Sequence, residues 1–345
     1  MLTEKHVSEI KEHLEKAQNP IFFFHNDQDG LCSFLLLQKW IGRGKGIAVK
    51  TFPALDESYF RKVQELGADY VFVLDVPLVS KEFFNRLREV NIPVVWIDHH
   101  DVQLDNPDFV NYYNPFFNGQ STNEPVAVLC YQITGKKSDL WIATIGAISD
   151  GYFPEFYPEF LEKYPDLGVK TTNPFQVLYE SKIGEIAVIL SGGLKDKTSN
   201  VISMLKFLMK VKSPYEILEE NGKTYSFHRR ANQINQKYQT LLNKAKNLTK
   251  NSDKLLFFKY SGDLSISGEL SNELMYRFPG KLIVVAYIKG SKVNLSLRGE
   301  NIKGKFLEAI KGIEGATGGG HKDAVGGQMQ ADALNEFKKN LEKQI

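Results

Sequence analysis

Ile21-Phe22-Phe23-Phe24-His25-Asn26-Asp27-Gln28-Asp29-Gly30 shows the unit from which the architecture is built. Four large apolar residues in a row fit a short strand buried on both faces. The run stops at an imidazole, and a turn with two carboxylates and a glycine follows. Beyond the turn, LCSFLLLQKW (31–40) is apolar enough for a buried helix. The same unit recurs twice downstream. YVFVL (70–74) ends at Asp75, a helical pattern lies near 80–90, and VVWI (94–97) ends at Asp98. Strand–helix alternation of this kind predicts a parallel sheet with helices on both faces. In such sheets ligands collect beyond the carboxyl ends of the strands. All three runs deliver an acid or an imidazole at that end.

The remaining chain extends this pattern and then changes it. Residues 3–17 have the periodicity of an amphipathic helix, and 123–134 and 138–149 predict two more, the second ending at Asp150-Gly151. The Pro- and aromatic-rich segment 151–170 predicts a packed loop, with helices resuming between 175 and 220. Within 228–249, Ile234, Tyr238, Leu241, Ala245 and Leu248 form a single apolar seam of helical spacing. Strands are expected at 255–260, 282–288 and 293–298, and helices near 268–278, 302–312 and 332–343. The expected fold class is therefore α/β. It comprises an N-terminal parallel-sheet domain at 1–200, a basic helical linker at 201–252 and a smaller C-terminal α/β domain at 253–345.

Composition narrows the class of protein. The 345 residues are 42% hydrophobic and 24% charged, which excludes a disordered, collagen-like or disulfide-scaffold chain. No apolar run reaches the roughly 20 residues of a membrane helix, and the charged start MLTEKHVSEIKEHLEK has no signal-peptide core. Only Cys32 and Cys130 are present, which argues for a reducing cytoplasm and against thiolate zinc. The net charge of +2 hides an asymmetry: residues 201–250 hold ten Lys/Arg against three acids. There Tyr225, Phe227, His228, Arg229 and Arg230 mix aromatic faces with charge, a pattern suited to feeding a single strand toward a cleft.

The chemistry is concentrated at the strand ends. His25, Asp27 and Asp29 alternate along an extended turn and can converge on one space. Asp75 stands alone after its strand, Asp98-His99-His100 follows the third, and Asp150 closes a helix. Carboxylates with imidazoles and no thiolate suit manganese, magnesium or iron better than structural zinc. Carboxylates crowded in one cleft repel one another unless cations neutralise them. Four ligating carboxylates would balance two divalent ions, so a dimetal hydrolytic centre is the economical reading. The stretch Gly42-Arg43-Gly44-Lys45-Gly46 follows a helix and lacks a Gly-Lys-Ser/Thr ending, so it predicts a helix stop and no nucleotide loop.

Taken in order, His25-x-Asp27-x-Asp29-Gly30, Asp75, Asp98-His99-His100 and Asp150 resemble the DHH phosphoesterase superfamily. That superfamily includes RecJ-type exonucleases, oligoribonucleases, cyclic-dinucleotide phosphodiesterases and family II pyrophosphatases. The resemblance implies that His25, Asp27 and Asp75 hold one metal. It implies that Asp29, Asp75, His99 and Asp150 hold the other, with Asp75 bridging. It also implies that Asp98 orients an imidazole and that His100 faces the substrate phosphate. At the other end, Gly318-Gly319-Gly320-His321 and Ser296-Leu297-Arg298 resemble the DHH-associated domain, which implies a Gly-rich loop and an arginine and histidine gripping phosphate. The wording of the first motif is similar to the archaeal-type RecJ-like branch.

The resulting expectation is a single-stranded DNA or RNA exonuclease using water activated by two divalent cations. Manganese is the expected ion, with magnesium and cobalt as alternatives. An oligoribonuclease or nucleotide phosphatase for very short substrates, and a nucleic-acid or replication/repair scaffold, are the competing readings. Single-stranded nucleic acid or oligonucleotides are the expected partners, with a replication or repair protein as a further one and no membrane.

Overall fold

A computed structural model describes residues 1–51, 54–102, 106–117, 122–249 and 254–345. The chain divides into two compact units, Met1–Asn232 and Gln233–Ile345. In the first unit the order is α1 (Glu4–Lys16), β1 (Pro20–His25), α2 (Gln28–Ile41), β2 (Lys45–Val49), α3 (Phe60–Glu65), β3 (Tyr70–Leu74), α4 (Lys81–Glu89), β4 (Val94–Ile97) and β5 (Val110–Tyr113). Then come α5 (Val126–Thr134), α6 (Leu140–Ser149), α7 (Tyr157–Lys163), α8 (Pro174–Glu180), α9 (Lys182–Leu194), α10 (Thr198–Leu208), α11 (Tyr215–Leu218) and α12 (Tyr225–Leu248).

The five strands run parallel in the order β2-β1-β3-β4-β5. The continuous apolar runs are explained by burial of both faces. Phe22, Phe24, Phe72, Leu74, Val95 and Ile97 enter the core shared with α1, α2, α5, α6 and α9. Ile21, Phe23, Val71, Val73, Val94 and Trp96 enter the opposite core with α3 and α4. Each fully buried Phe contributes about 1.5–3 kcal/mol, so β1 alone anchors the sheet from both sides. This architecture is the doubly covered parallel sheet expected from the alternation, with all three predicted strands in place.

Several details differ from the sequence reading. Strands β2 and β5 were not anticipated, because KGIAV and VNYY lack a sustained apolar run. Gly42 does end α2 in a left-handed cap, at φ +71°, and β2 begins three residues later. The segment 151–170 contains α7, whose Tyr157 and Phe160 are buried. The expected basic linker does not stand apart from the first unit. Val201, Met204, Leu205, Leu208, Val211, Ile217, Phe227 and Ala231 belong to the first unit's core, and the division between units falls inside α12.

The second unit contains β6 (Leu255–Ser261), α13 (Ser267–Arg277), β7 (Leu282–Lys289), β8 (Lys292–Arg298), α14 (Ile302–Ala309), β9 (Thr317–His321), β10 (Ala324–Gln330) and α15 (Leu334–Glu342). Its sheet has the order β6-β7-β8-β10-β9, parallel between β6 and β7 and antiparallel elsewhere. Helices α14 and α15 cover one face through Phe306, Phe337 and Leu341. Helix α13 covers part of the other through Leu270 and Leu274 against Ile283 and Val285. The Gly-rich segment is thus an edge strand where a loop was expected. Among the described residues no helix is long and apolar enough to cross a membrane.

Candidate metal centre

The turn after β1 is built by local chemistry. Asp27 is the N-cap of α2, its side chain accepting from the Gly30 N–H at 3.0 Å. Gly30 is required by proximity: a Cβ there would lie 2.7 Å from the His25 nitrogen and closer still to the His25 carbonyl oxygen. With Asp27 Oδ1 committed to the cap, its Oδ2 meets His25 Nδ1 at 2.5 Å. His25 and Asp27 therefore face one point.

Asp75 lies one residue past β3 and is buried at 2% exposure. Its two carboxylate oxygens look in different directions. Oδ2 lies 3.6 Å from His25 Nδ1, whereas Oδ1 lies 3.4 Å from His99 Nε2 and 4.0 Å from His100 Nδ1. Two groups of potential ligands result among the described residues: His25, Asp27 and Asp75, and Asp75, His99 and His100. They share Asp75, one oxygen each. Asp150, at the C-terminal end of α6, brings Oδ2 within 3.8 Å of His99 Nε2.

Asp98 and Asp29 have other immediate partners. Fully buried Asp98 accepts from His100 Nδ1 at 2.7 Å and from the Tyr112 hydroxyl at 3.4 Å. Asn114 donates to the Tyr112 hydroxyl at 2.9 Å and to the His100 carbonyl at 3.0 Å. This network holds the His100 ring; the bond to Asp98 fixes the proton on Nδ1 and presents Nε2 as the ring's other polar atom. Asp29 is buried, and both its oxygens accept backbone N–H bonds, from Val126 and Ala127, at 2.8 Å each. It thereby caps the first turn of α5, where a negative charge is favoured. Tyr112, Asn114 and the α5 N-terminus were not anticipated from the sequence.

The electrostatics of the cluster call for positive charge. Asp27 holds the His25 imidazolium well above the ordinary histidine range. Burial disfavours charge on His99, but Asp75 and Asp150 outweigh it and push its pKa up to about 10. Burial, Asp75 and Asp150 together raise Asp29 well above the usual carboxylate range. Burial acts the same way on Asp75, but His25 and His99 overcome it and hold this carboxyl low. Among the described residues, protons on histidines are thus the countercharge at the shared carboxylate. The donors are oxygen and imidazole nitrogen without a thiolate, and they fit hard divalent cations.

In the second unit, Arg298 ends β8, its Nε donating to Asn272 Oδ1 at 2.6 Å and its Nη1 to the Leu297 carbonyl at 2.8 Å. Strand register places Arg298, Ala324 and His321 in one row, and Ser296, Gly326 and Gly319 in the row two residues along. Paired residues share a face, so Ser296, Arg298 and His321 stand on one side with Gly319 and Gly326 between them. Ser296 donates to the Ser267 hydroxyl at 2.9 Å. The glycines divide by cause. A Cβ on Gly318 or Gly327 would strike Phe306, at 2.8 and 2.6 Å, whereas one on Gly319 would meet nothing within 4 Å. Packing thus explains Gly318 and Gly327, and Gly319 leaves bare backbone beside Arg298 and His321.

The basic aromatic stretch does not form the expected stacking track. Phe227 and His228 are buried, at 2% and 7% exposure, and His228 Nε2 lies 2.7 Å from the Ile217 carbonyl. Arg230 donates to the Lys195 carbonyl at the end of α9. Tyr225 and Arg229 are the exposed members. Helical periodicity, which buries one face of any such stretch, is the physical reason.

Residues 253–345 match the DHHA1 domain family. No curated protein matches the chain in sequence. Among solved structures, the exonuclease RecJ bound to manganese is similar, with a TM-score of 0.65 at 14% identity over 100% of this chain and 94% of that one. RecJ from Thermus thermophilus in complex with Mn2+ gives the same score and identity over 99% of this chain, which spans about half, 54%, of its length. A pGpG-specific phosphodiesterase from Vibrio cholerae has a TM-score of 0.52 at 14% identity, over 95% of this chain and 98% of its own. At such identities the likeness concerns the fold. The chain thus has the fold of the RecJ structures, and its C-terminal residues 253–345 match the DHHA1 domain family.

Proposed function

We propose that the protein is a divalent-metal-dependent phosphodiester hydrolase that shortens single-stranded nucleic acid from an end. The observation that carries the reading is the shared carboxylate: Asp75 directs one oxygen to His25 and Asp27 and the other to His99 and His100. When bound, two divalent cations supply charge that lowers the pKa of water and stabilises the added negative charge on phosphorus. His25, Asp27 and Asp75 would hold one, and Asp75 with His99 and Asp150 the other. Asp29 would join the second through the lone pairs its backbone bonds leave. His100, fixed by Asp98, would donate from Nε2 to a phosphate oxygen. Ser296, Arg298, His321 and the backbone of Gly318, Gly319 and Gly320, bare at Gly319, would bind substrate phosphates. Manganese is the ion of choice in this reading, supported by the RecJ structures that contain it. Magnesium and cobalt are alternatives.

A second reading, hydrolysis of very short oligonucleotides, is favoured by the burial of Phe227 and His228, which removes much of the track for a long strand. End-labelled strands of three, ten and thirty nucleotides, incubated with manganese, separate the two. Progressive shortening of the longest supports the exonuclease. Cleavage confined to the shortest supports the second reading. Retention of strands without cleavage would leave a scaffold that binds nucleic acid and overturn both.

A further inference from the structure

Asp75 sits in an unusual backbone conformation. Among the described residues, three non-glycines have positive φ: Asp75 at +59°, Asn91 at +53° and Asn301 at +54°. Asparagine enters the left-handed region readily, as an exposed turn residue does. Asp75 does so while buried and while carrying the carboxylate shared by both ligand groups. Such a conformation persists where the surroundings over-determine it.

Two hydrogen bonds to residues of β4, one donated and one accepted, bracket the turn. The Asp75 N–H donates to the Ile97 carbonyl at 3.0 Å, one rung beyond the β3–β4 ladder. The carbonyl of the following residue, Val76, accepts from the Trp96 indole Nε1–H at 2.9 Å. Trp96 is 1% exposed and Val76 2%. The indole is itself fixed between Phe84 and Tyr112, with ring centroids at 5.9 and 4.8 Å. A smaller apolar residue would satisfy the packing of β4, as Val94 does two positions earlier on the same face. It would leave the Val76 carbonyl buried without its donor.

We infer that Trp96 is a positioning residue for the shared carboxylate: by holding the Val76 carbonyl, it fixes the left-handed turn that aims the two oxygens of Asp75 at the two ligand groups. The inference rests on the metal-centre reading above.

The test is manganese binding to the full chain, followed by the paramagnetic signal of free Mn2+ below the unfolding temperature of every variant. Trp96→Phe removes the donor and should weaken binding of both ions about tenfold, the lower end of what supporting partners of ligands contribute. Benzothienylalanine at position 96 keeps the bicyclic shape and removes only the N–H; it should weaken both ions alike, and it carries the test if the Phe variant does not fold. Asp75→Asn is the reference for loss of both ions. If the benzothienylalanine protein binds manganese as tightly as the parent while Asp75→Asn does not, Trp96 only packs, whatever Trp96→Phe does, and the inference falls. If the parent binds no manganese, or Asp75→Asn binds as the parent does, the metal centre itself falls and takes this inference with it.

Discussion

Replacing Asp75 by asparagine keeps its size, tolerates φ +59° and removes one negative charge from between two groups of ligands. Oδ1 and Oδ2 face different groups, at 3.4 Å from His99 and 3.6 Å from His25. Asp75→Asn should therefore cost both ions. Asp27→Asn should cost one: Asp27 touches only the His25 side, and asparagine retains the N-cap to Gly30. The magnitude follows from linkage. An ion present at about 100 times its Kd stabilises the folded state by about 2.7 kcal/mol per site. For a unit of this size each kcal/mol raises Tm by about 2–4 °C. Each occupied site is thus worth about 5–10 °C, so added manganese should raise the parent's Tm by roughly twice the shift of Asp27→Asn. Asp75→Asn should show almost none. Differential scanning calorimetry with and without manganese, paired with metal content per chain, measures both quantities. An Asp75→Asn protein that retained two ions per chain, or one that lost no more than Asp27→Asn, would refute the bridging geometry.

Other outcomes follow from the same geometry. Gly146→Ala would drive a methyl into the Ala127 side chain and to 3.2 Å from Asp29 Oδ1, so urea unfolding should show a loss of about 1–3 kcal/mol. Gly318→Ala should destabilise the second unit by a similar amount through the β10 backbone at Gly326 and Gly327 and through Phe306, whereas Gly319→Ala should leave its stability within about 0.5 kcal/mol and raise the KM for substrate. In the metal-free protein the folded-state pKa of His99 is raised from 6.5 to about 10. Its pairing with Asp75 stabilises the fold fully below pH 6.5 and is lost as pH rises toward about 10, a slope that should lessen in His99→Gln and leave the part owed to His25. The same proton must leave before a cation binds, so titration calorimetry in buffers of different ionisation enthalpy should detect proton release on manganese binding at neutral pH.

The donors were legible in the sequence because each stands at a punctuation mark. His25, Asp75 and Asp98 interrupt apolar runs that only a strand buried on both faces explains, and a parallel sheet brings such interruptions to one edge. Asp27 and Gly30 were legible as a turn, although the cause at Gly30 is the approach of the His25 backbone and not a left-handed φ. What supports the donors was hidden for a different reason. Asp29 caps α5 through backbone N–H groups of Val126 and Ala127, and a backbone donor has no letter. Trp96 looked like one more apolar residue of a strand; only the fold reveals that its N–H ends on Val76. Tyr112 and Asn114 lie on or just after a strand of four residues, too short to announce itself, yet they hold Asp98 and His100 in place. The basic stretch failed in the opposite sense: its letters were conspicuous, but a helix buries every third or fourth one, and Phe227 and His228 went inward. Residue type therefore identifies which groups can hold a cation, while the angles at which they are held depend on carbonyls and ring edges contributed by residues whose identity advertises nothing. Substitutions among these silent partners should accordingly alter cation affinity without touching a ligand.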